Sequence, residues 1–442
     1  MHSVVMGAGR SGLAAARFLA TQGLGVVLTD TRPEPSAALE QELAQAGIPG
    51  LWGSHPLALL EDCQQLVISP GIPRTAPFVA EALRRGIAVI GEVELAHRAI
   101  RERQDGSRVL AVTGTNGKST TTDLTAHLLR AAGISAVACG NLGTPVLEAV
   151  QAAPADTVFV VELSSYQLES TQAFHAEAAA FLNLTEDHLA RHGTMEVYRR
   201  TKLRVFEHQS AADLRVVPLA HPEWSQDAPG AGATARFGWS ECEAWCDAAG
   251  HLHLHGEPLL SRTDLRIPGD HNVENALAAS LLARHGGASH DGLRAGLRSY
   301  PGLAHRMALC GEKGGVRAYN DSKGTNVDAT LTAIRALPGP LVLLLGGTDK
   351  GASYEPLREA LQGKLRRLIF LGEAIPQLQR DLGDLPHEVV PKFDDAVAAA
   401  LNLAQPGDQV LLSPACASFD QFENFEQRGE HFEHLVRVWA QA

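Results

Sequence analysis

The stretch LAVTGTNGKST, residues 110–120, has the pattern of an apolar β-strand, a glycine-rich turn and the start of an α-helix. Backbone amides at the start of a helix bind phosphate, and glycines let the backbone come close to it. The common phosphate loop has four residues between its glycines, whereas only two separate them here. In this position Lys118 would reach the β- and γ-phosphates of a nucleotide, and the hydroxyl of Ser119 or Thr120 would bind Mg²⁺. The stretch therefore predicts a shortened phosphate-binding loop between a strand and a helix.

The apolar strand within residues 157–169 carries an acid at its end, Glu162. A carboxylate there is costly to bury, and a metal ion next to a phosphate loop is the compensation we expect. Another apolar segment, 178–193, leads into a Glu-Asp-His cluster that closes with His188. This cluster fits either a capped helix start or a second metal position, and the residues alone leave both open.

Lys202 lies in the basic stretch YRRTKLRVFEH, residues 198–208. A run of basic residues on a helix usually forms a solvated face. A protonated lysine cannot coordinate a cation, so a role at a metal would need a chemical change of the amine. Lys202 is therefore either part of a basic surface or a modified functional group.

The first block, residues 3–30, has the order strand, glycine-rich turn, helix, strand. Gly7, Gly9 and Gly12 form a GxGxxG pattern, and Asp30 ends the second strand about 20 residues later. This context predicts a nucleotide diphosphate held near a ribose hydroxyl. NAD, FAD and UDP-linked sugars all satisfy it, so this block alone is also compatible with an oxidoreductase.

The composition is that of a globular protein: 442 residues, 45% hydrophobic and 20% charged, with a formal net charge of -12. The excess of acidic residues argues against a nucleic-acid partner, which requires a basic face. The first residues enter a strand at once and no run of about 18 apolar residues occurs. We therefore expect a cytoplasmic protein without a membrane partner, and we expect a monomer.

The six cysteines are scattered, which is typical of reduced thiols. Cys242 and Cys246, followed by HLHLH at 251–255, are the one arrangement that suggests zinc. Their spacing fits no zinc-finger pattern, and the alternation favours a strand with one solvated face.

Strand and helix patterns alternate along most of the chain, which predicts an α/β fold with parallel sheets. The charged stretch 101–107 and the Pro301-Gly302 break divide the chain into three domains. We predict a Rossmann-like first domain, a central P-loop-type ATPase domain with a small β-hairpin insert at 231–260, and a Rossmann-like third domain. The predicted domain ranges are 1–104, 105–301 and 302–442.

Several stretches together resemble the Mur ligase family, the ATP-dependent, amide-forming enzymes that build the peptidoglycan stem peptide. The shortened loop GTNGKST is one of them, and the resemblance covers essentially the whole chain. The other matching stretches are GNLG (140–143), VVELSSYQLE (160–169), LNLTEDHLARHG (182–193), YRRTK (198–202), GDHNVENALAA (269–279), GLAHR (302–306) and NDSKGTN (320–326).

Two loops of the third domain, 343–351 and 410–432, resemble those of the members that add D-glutamate to UDP-N-acetylmuramoyl-L-alanine. The resemblance implies a ligase of cytoplasmic peptidoglycan precursor synthesis that uses ATP and two Mg²⁺ ions. It implies that the substrate carboxylate is first phosphorylated and that D-glutamate then displaces the phosphate. A first, UDP-binding domain, an ATPase domain and an amino-acid-binding domain would divide these tasks.

The family's functional residues match positions in this chain as follows. The ATP site would comprise Gly114, Thr115, Asn116, Gly117, Lys118, Ser119 and Thr120 of the loop, with Asn275 at the adenine, Arg306 at phosphate and Asp321 at the ribose. The catalytic and metal-binding groups would be Lys118, Ser119, Glu162, His188 and an N-carboxylated Lys202. The uridine and diphosphate would contact Arg10, Ser11, Asp30, Thr31, Arg32 and Ser69, Asn141 would position the substrate, and Lys323, Thr325, Lys350, Ser418 and Phe425 would hold D-glutamate.

Three positions depart from the family's usual residues. Ala190 stands where an aspartate is commoner, and Thr201 and Gly324 stand where alanine is expected. None of them removes a ligand. The alternatives are a sibling ligase that adds another amino acid, an NAD-dependent oxidoreductase supported by the first block alone, and a nucleotide-binding scaffold without turnover.

Overall fold

A computed structural model describes residues 2–349, 351 and 353–441. The chain forms two compact units, one made of the residues up to Asp264 with Val273–Ser299, the other of Leu265–Asn272 with the residues from Tyr300 onward. Three mainly parallel sheets, flanked by helices, confirm the predicted α/β class. The predicted boundaries between the three domains remain predictions.

The first sheet is entirely parallel, with the strand order β3-β2-β1-β4-β5. Because β1 lies in its middle, the glycine turn after β1 opens between two neighbouring strands, where α/β sheets bind ligands. The elements are β1 (His2–Met6), α1 (Arg10–Thr21), β2 (Val26–Asp30), α2 (Ala37–Gln45), β3 (Gly50–Trp52), β4 (Cys63–Ile68), α3 (Pro77–Arg84), β5 (Ala88–Gly91) and α4 (Glu92–Arg103), with a 3-10 turn at Leu57–Leu60.

The second sheet has nine strands in the order β14-β13-β12-β11-β10-β9-β6-β8-β7. Its strands are β6 (Arg108–Thr113), β7 (Ala136–Gly140), β8 (Val158–Glu162), β9 (Ala178–Phe181), β10 (Leu214–Pro218), β11 (Ala233–Gly238), β12 (Ala244–Cys246), β13 (His251–Leu254) and β14 (Glu257–Ser261). Its helices are α5 (Lys118–Ala131), α6 (Val146–Ala152), α7 (Ser165–Leu168), α8 (Leu189–His192), α9 (Met195–Leu203), α10 (Glu223–Gln226), α11 (Asp270–His285) and α12 (His290–Ser299).

The predicted hairpin insert at 231–260 is part of this second sheet. β11 pairs in parallel with β10, and β12 pairs in parallel with β11; β13 and β14 then continue the sheet in antiparallel pairing. Leu252 and Leu254 are buried, whereas His251 is exposed, as the alternation predicts. Antiparallel pairing explains why the pattern reads as a hairpin, but the sequence did not show that it extends the main sheet.

The third sheet has the order β15-β16-β20-β17-β18-β19, and only β15 is antiparallel to its neighbour. Every residue of β17 and β20 is buried, as expected for parallel strands covered on both faces. The elements are β15 (Ala308–Lys313), β16 (Val316–Asn320), α13 (Val327–Ala336), β17 (Leu341–Gly346), α14 (Leu357–Leu361), β18 (Leu365–Leu371), α15 (Ile375–Leu382), β19 (His387–Val389), α16 (Phe393–Leu403), β20 (Gln409–Leu412) and α17 (Phe425–Gln441).

In the described part of the chain, no helix is both long and apolar enough to cross a membrane.

Helix α4 leads from the first sheet to the second, and its two ends cap helix α6. The Glu92 carboxylate accepts a hydrogen bond from the Leu147 amide at 2.7 Å, at the start of α6. At the other end, Arg103 donates to the carbonyls of Val150 and Ala153 at 2.8 and 3.0 Å. An acid at a helix N-terminus and an arginine at its C-terminus both favour the helix dipole. These contacts fix α6 and the loop before it against the first sheet.

Glu92 gives the stability of the protein a pH dependence. Burial, together with the nearby Glu148 charge, raises the pKa of Glu92 to about 7, although backbone hydrogen bonds oppose the shift. In the unfolded chain Glu92 has its ordinary pKa of 4.5, so it releases its proton at a lower pH there than in the folded protein. The free energy of unfolding therefore falls as the pH rises from about 4.5 to about 7. We expect the Glu92→Gln variant to match the wild type near pH 4.5 and to be more stable by about 3 kcal/mol at pH 8.

Urea unfolding at a series of pH values measures this difference. Glu102→Gln, an exposed change on the same helix, is the matched control and should leave the pH profile unchanged. A Glu92→Gln profile parallel to that of the wild type would contradict the prediction.

Candidate functional site

The shortened loop joins β6 to α5, as predicted. Gly114 and Gly117 have φ values of +153° and +79°, which L side chains rarely adopt. The Lys118 Nζ folds back over the loop and donates to the carbonyls of Gly114 and Thr115 at 3.0 and 2.7 Å. Ser119, in the first turn of α5, is buried. The loop thus places a lysine and the start of a helix together, as a phosphate site requires.

Asn183, in the segment that follows β9, forms hydrogen bonds that fix the loop. Its Oδ1 accepts from the Asn116 amide at 2.8 Å, and its Nδ2 donates to the Asn116 carbonyl at 3.0 Å. The Thr115 amide donates to the Asn183 carbonyl at 3.0 Å. These bonds fix the two residues between the glycines, so the short loop is braced from a neighbouring strand.

Asn275, on α11, lies against the same loop. Thr121 donates its hydroxyl hydrogen to the Asn275 Oδ1 at 3.1 Å. A Cβ at Gly117 would come within 2.4 Å of that oxygen, so only glycine fits there. The structure thus places Asn275 beside the phosphate loop, and its contact with adenine stays a prediction.

Glu162 ends β8 beside the loop, because it pairs with Val112 in the parallel register of β8 and β6. The side chain is 1% exposed. The Asn141 Nδ2 donates to its Oε1 at 2.8 Å, and its Oε2 has no hydrogen-bond partner among the described residues. A buried carboxylate oxygen without a partner is costly, and a cation removes that cost.

These residues fit a magnesium ion that is held together with nucleotide phosphate. No group of three or more His, Cys, Asp or Glu side chains with metal-binding geometry occurs among the described residues. Mg²⁺ commonly takes one or two protein ligands and completes its shell with phosphate and water. The unpaired Glu162 oxygen and the Ser119 hydroxyl are the protein groups that would hold it.

Lys202 is buried and is not part of a solvated basic face. It is 1% exposed, its Nζ donates to the Gly114 carbonyl at 2.7 Å, and the same atom lies 4.6 Å from the centre of the Tyr198 ring. Burial, with the nearby Lys118 charge, lowers the pKa of Lys202 to about 6, although Asp187 and Glu162 oppose the shift. The amine is therefore largely neutral at pH 7 and is a nucleophile.

His188 stands at the N-cap position of α8, with φ +56°, and makes no side-chain cap. The capped-helix alternative for this cluster is therefore not what the structure shows. Tyr166 places its hydroxyl 3.2 Å from the His188 Nδ1. Burial lowers the pKa of His188, with Lys202 and Lys118 adding to the shift and Asp187 opposing it. The imidazole is neutral at pH 7, the form that binds a metal.

The first sheet carries a cleft of about 810 Å³ at the carboxyl ends of its strands. Asp30, Thr31 and Ser69 line it, whereas Arg10 and Ser11 lie in the first turn of α1 outside the lining. Three of the six residues predicted to contact the uridine and diphosphate thus face one cavity.

The Asp30 carboxylate forms hydrogen bonds and an ion pair within the protein. It accepts from the Ala8 amide at 2.6 Å and from the Arg32 amide at 2.9 Å, and the Arg32 side chain pairs with it at 3.2 Å. Burial would raise the pKa of Asp30, but these hydrogen bonds and the Arg32 charge hold it below its ordinary value. Asp30 therefore shapes the glycine turn and stays ionised.

In the second compact unit, Asp321 is buried and holds the turn that carries Arg306. Its Oδ2 accepts from the Ser413 hydroxyl at 2.7 Å, and its Oδ1 accepts from the Met307 amide at 3.3 Å. Burial raises the pKa of Asp321 to about 7, against the effects of Ser413 and Arg306. A Cβ at Gly324 would lie 2.5 Å from the Asp321 Oδ2, which explains the departure from alanine there.

The residues predicted to hold D-glutamate lie on loops that meet around Arg428. Lys323 places its Nζ 5.1 Å from the centre of the Phe425 ring, and Ser418 is buried. Arg428, 1% exposed, donates to the hydroxyl of Ser322 at 3.0 Å and to backbone carbonyls of the 416–417 loop at 3.2–3.3 Å. Thr325 follows Lys323 on the same loop, and Lys350 lies outside the described residues.

Sequence reasoning missed three groups that shape these sites. Tyr198 precedes Lys202 by one helical turn, and this i, i+4 spacing was the available signal. The other two act through contacts between distant segments, for which the local pattern holds no signal; they are Ser413 and Arg428.

Comparisons with known proteins identify related chains over nearly the full length. Residues 1–91 match the MurD-like N-terminal domain of Mur ligases, residues 112–283 the Mur ligase middle domain, and residues 305–416 the glutamate ligase domain of Mur ligases. A UDP-N-acetylmuramoylalanine--D-glutamate ligase of Solibacter usitatus is 40% identical over 99% of this chain and 97% of its own. One of Anaeromyxobacter dehalogenans is 41% identical, also over 99% and 97%.

Solved structures share the fold at low identity. MurF of Acinetobacter baumannii has a TM-score of 0.63 at 18% identity, covering 95% of this chain and 91% of its own. The UDP-N-acetylmuramate-alanine ligase MurC of Thermotoga maritima has a TM-score of 0.62 at 17% identity, covering 100% of both chains.

Proposed function

This chain belongs to the Mur ligase family and is thus an ATP-dependent ligase, and we propose that it joins D-glutamate to UDP-N-acetylmuramoyl-L-alanine in cytoplasmic peptidoglycan precursor synthesis. The observation that carries the proposal is the group formed by the half-buried Lys118 and the buried Glu162 and Lys202 around one shortened phosphate loop. The choice of D-glutamate is supported by relatives that are 38–41% identical over nearly the whole chain and carry the name UDP-N-acetylmuramoylalanine--D-glutamate ligase.

The reaction needs two anions, a carboxylate and the γ-phosphate of ATP, to meet. Alignment and neutralisation of charge are therefore the main tasks of the site. The Lys118 ammonium, now bonded to loop carbonyls, would turn to the β- and γ-phosphates when ATP binds. When bound with ATP, Mg²⁺ supplies further positive charge next to Glu162 and Ser119.

The second half of the reaction attaches an amine to the activated carbonyl. In the proposed site Lys323, Thr325, Ser418 and Phe425 hold the two carboxylates and the chain of D-glutamate, with Lys350. A lysine and hydroxyl groups facing carboxylates form charge-assisted hydrogen bonds. The buried Arg428 would keep the loops of this cradle in place, since it bridges two of them.

The neutral amine of Lys202 provides a route to the second metal site. The nitrogen of a neutral amine adds to the carbon of CO₂ and loses one proton to solvent, which gives a carbamate and would place an anionic oxygen ligand near His188. We expect that protein labelled with ¹³C-bicarbonate at pH 8 gives one carbamate carbon signal, because the pKa of Lys202 is about 6. The signal should be absent from Lys202→Arg, whose guanidinium stays protonated.

A second variant separates this lysine from the others. Lys364→Arg changes a lysine whose Nζ caps the end of α13, 2.8 Å from the Leu337 carbonyl, and should keep the signal. A wild-type spectrum without a carbamate carbon would contradict the prediction.

A phosphate-release assay with ATP, Mg²⁺, UDP-N-acetylmuramoyl-L-alanine and a panel of amino acids tests the proposed function. Release that depends on D-glutamate supports it. Release with L-alanine or L-lysine would instead assign the chain to a sibling activity. If no amino acid causes phosphate release, the result would support a nucleotide-binding scaffold. Binding of a nicotinamide nucleotide would support an oxidoreductase.

A further inference from the structure

The cleft in the first sheet has two chemically different walls. One consists of the glycine turn at Gly7 and Gly9 with Asp30 and Ser69, which presents backbone and polar groups. The other is apolar and is formed by Leu57, Ile72, Pro73, Ala76, Pro77 and Phe78. A phosphorylated ribose suits the first wall, and a planar base suits the second.

His55 also lines this cleft, and no role follows for it from the family motifs. It follows β3, and its ring packs at a tilt on Phe78, with 5.7 Å between ring centres. Its Nδ1 lies 2.9 Å from the hydroxyl of the buried Thr29. Phe78 packs on the ring and Thr29 bonds to one of its nitrogens, so the orientation of the ring in the cleft is fixed.

The Thr29 hydroxyl sets which nitrogen of His55 carries the hydrogen. It has a single hydrogen, and it lies 3.2 Å from the Ser54 carbonyl, which can only accept. If Thr29 donates to Ser54, its oxygen must accept from His55, so the hydrogen is on Nδ1. The other nitrogen, Nε2, then carries a lone pair. It has no hydrogen-bond partner among the residues that the structure describes.

Burial lowers the pKa of His55, although the nearby Asp30 charge opposes the shift. The ring is therefore neutral at pH 7, and Nε2 stays an acceptor. A fixed, unpaired acceptor in a ligand cleft selects ligands that present a donor.

We propose that His55 reads the nucleobase of the UDP substrate: its Nε2 accepts the N3–H of uracil and so selects uracil over cytosine. This rests on the proposed function, which makes the cleft a site for a UDP-linked substrate. Uracil carries a hydrogen on N3, whereas cytosine carries a lone pair there. Cytosine would bring two lone pairs together and leave both unpaired in a partly buried site, which weakens binding by about tenfold or more.

Calorimetric titration with UDP and CDP, without ATP or amino acid, measures this selection directly. We expect the wild type to bind UDP at least about tenfold more tightly than CDP. In His55→Phe, which keeps a ring on Phe78 but has no acceptor, the two affinities should become similar, chiefly through weaker UDP binding. His55→Gln keeps an acceptor on a flexible chain, and its ratio should lie between those two.

The controls separate base recognition from stability. His208→Phe changes an exposed histidine between α9 and β10, whose ring nitrogen bonds to the Gln172 carbonyl, and should leave the UDP to CDP ratio unchanged. If His55→Phe does not fold, His55→Gln still decides the test. Equal affinities in the wild type, or an unchanged ratio in the folded His55 variants, would overturn the inference.

The same titrations are independent of the ligase assay. A wild type that releases phosphate with D-glutamate, combined with unchanged ratios in the His55 variants, overturns the role of His55 and leaves the proposed function standing. A wild type that selects UDP through His55 but releases no phosphate supports the role of His55 and rejects the proposed function.

Discussion

Lys118→Ala is expected to lower kcat of the ligase reaction by about 10³-fold or more, while the protein stays folded. The hydrogen bonds of the Lys118 Nζ to the Gly114 and Thr115 carbonyls lie within the loop, and the side chain is half-buried, so we expect the fold to survive its removal. Its charge would be needed where the carboxylate meets the γ-phosphate. Phosphate release at saturating substrate, together with thermal unfolding of both proteins, measures the two effects separately.

The positive charge of Lys118 also affects Lys202, and the experiment must separate this effect from the effect on phosphate chemistry. It helps to keep the pKa of Lys202 low, so its removal would raise that pKa and disfavour the carbamate. Lys118→Arg keeps the positive charge but not the compact ammonium. We expect it to preserve the carbamate signal and still to lose most of the activity, since a guanidinium does not fit the place of the Nζ.

The exposed Lys392, in the second compact unit, provides the matched control. Lys392→Ala removes the same group from a solvated position and should leave kcat unchanged. Lys118→Ala with more than a tenth of the wild-type kcat would show that this lysine does not carry the phosphate chemistry.

The central site illustrates how much the sequence predicts. The strand, turn and helix around Lys118 and the acid at the end of β8 are local patterns, and the structure has both where they were predicted. The burial of Lys202 is not local. Its Nζ bonds to the carbonyl of Gly114, 88 residues away in the chain, so the sequence left a basic surface open as the alternative.

The same limit applies to the loops of the other sites. His55 depends on Thr29 across two strands of the first sheet, and Asp321 depends on Ser413 across 92 residues. Such contacts are set by tertiary packing, and neither periodicity nor a short motif contains them. The family resemblance supplied Asp321 and its contact with the ribose, which stays a prediction, but it did not indicate the hydrogen bonds to Ser413 and Met307.

Glu162→Gln is expected to lower kcat by about 10²–10³-fold and to raise the Mg²⁺ concentration needed for half-maximal activity. The amide keeps the shape of the side chain and an oxygen that can accept from Asn141, but it removes the negative charge at the unpaired position. Titration of the ATP complex with Mn²⁺, followed by electron paramagnetic resonance, measures metal binding without turnover.

Although Glu162→Gln should lower activity and metal binding, it should not destabilise the metal-free protein. Wild-type Glu162 buries a carboxylate oxygen without a partner among the described residues, whereas glutamine buries no charge. We therefore expect an unfolding temperature for Glu162→Gln in metal-free buffer that is equal to or above that of the wild type. Glu169→Gln, which disrupts the 2.7 Å ion pair with Arg191, is the matched control and should keep the metal affinity.

Asn141→Leu separates the position of the Glu162 carboxylate from its charge. This variant removes the 2.8 Å hydrogen bond to Oε1 but keeps the charge, so metal binding should weaken less than in Glu162→Gln. The charge of a carboxylate ligand contributes more to metal affinity than its orientation does, because the charge supplies the attraction and the hydrogen bond only orients the carboxylate. If Asn141→Leu were the more damaging change, Glu162 would act by holding the 140–143 loop, and the metal site would have to lie elsewhere.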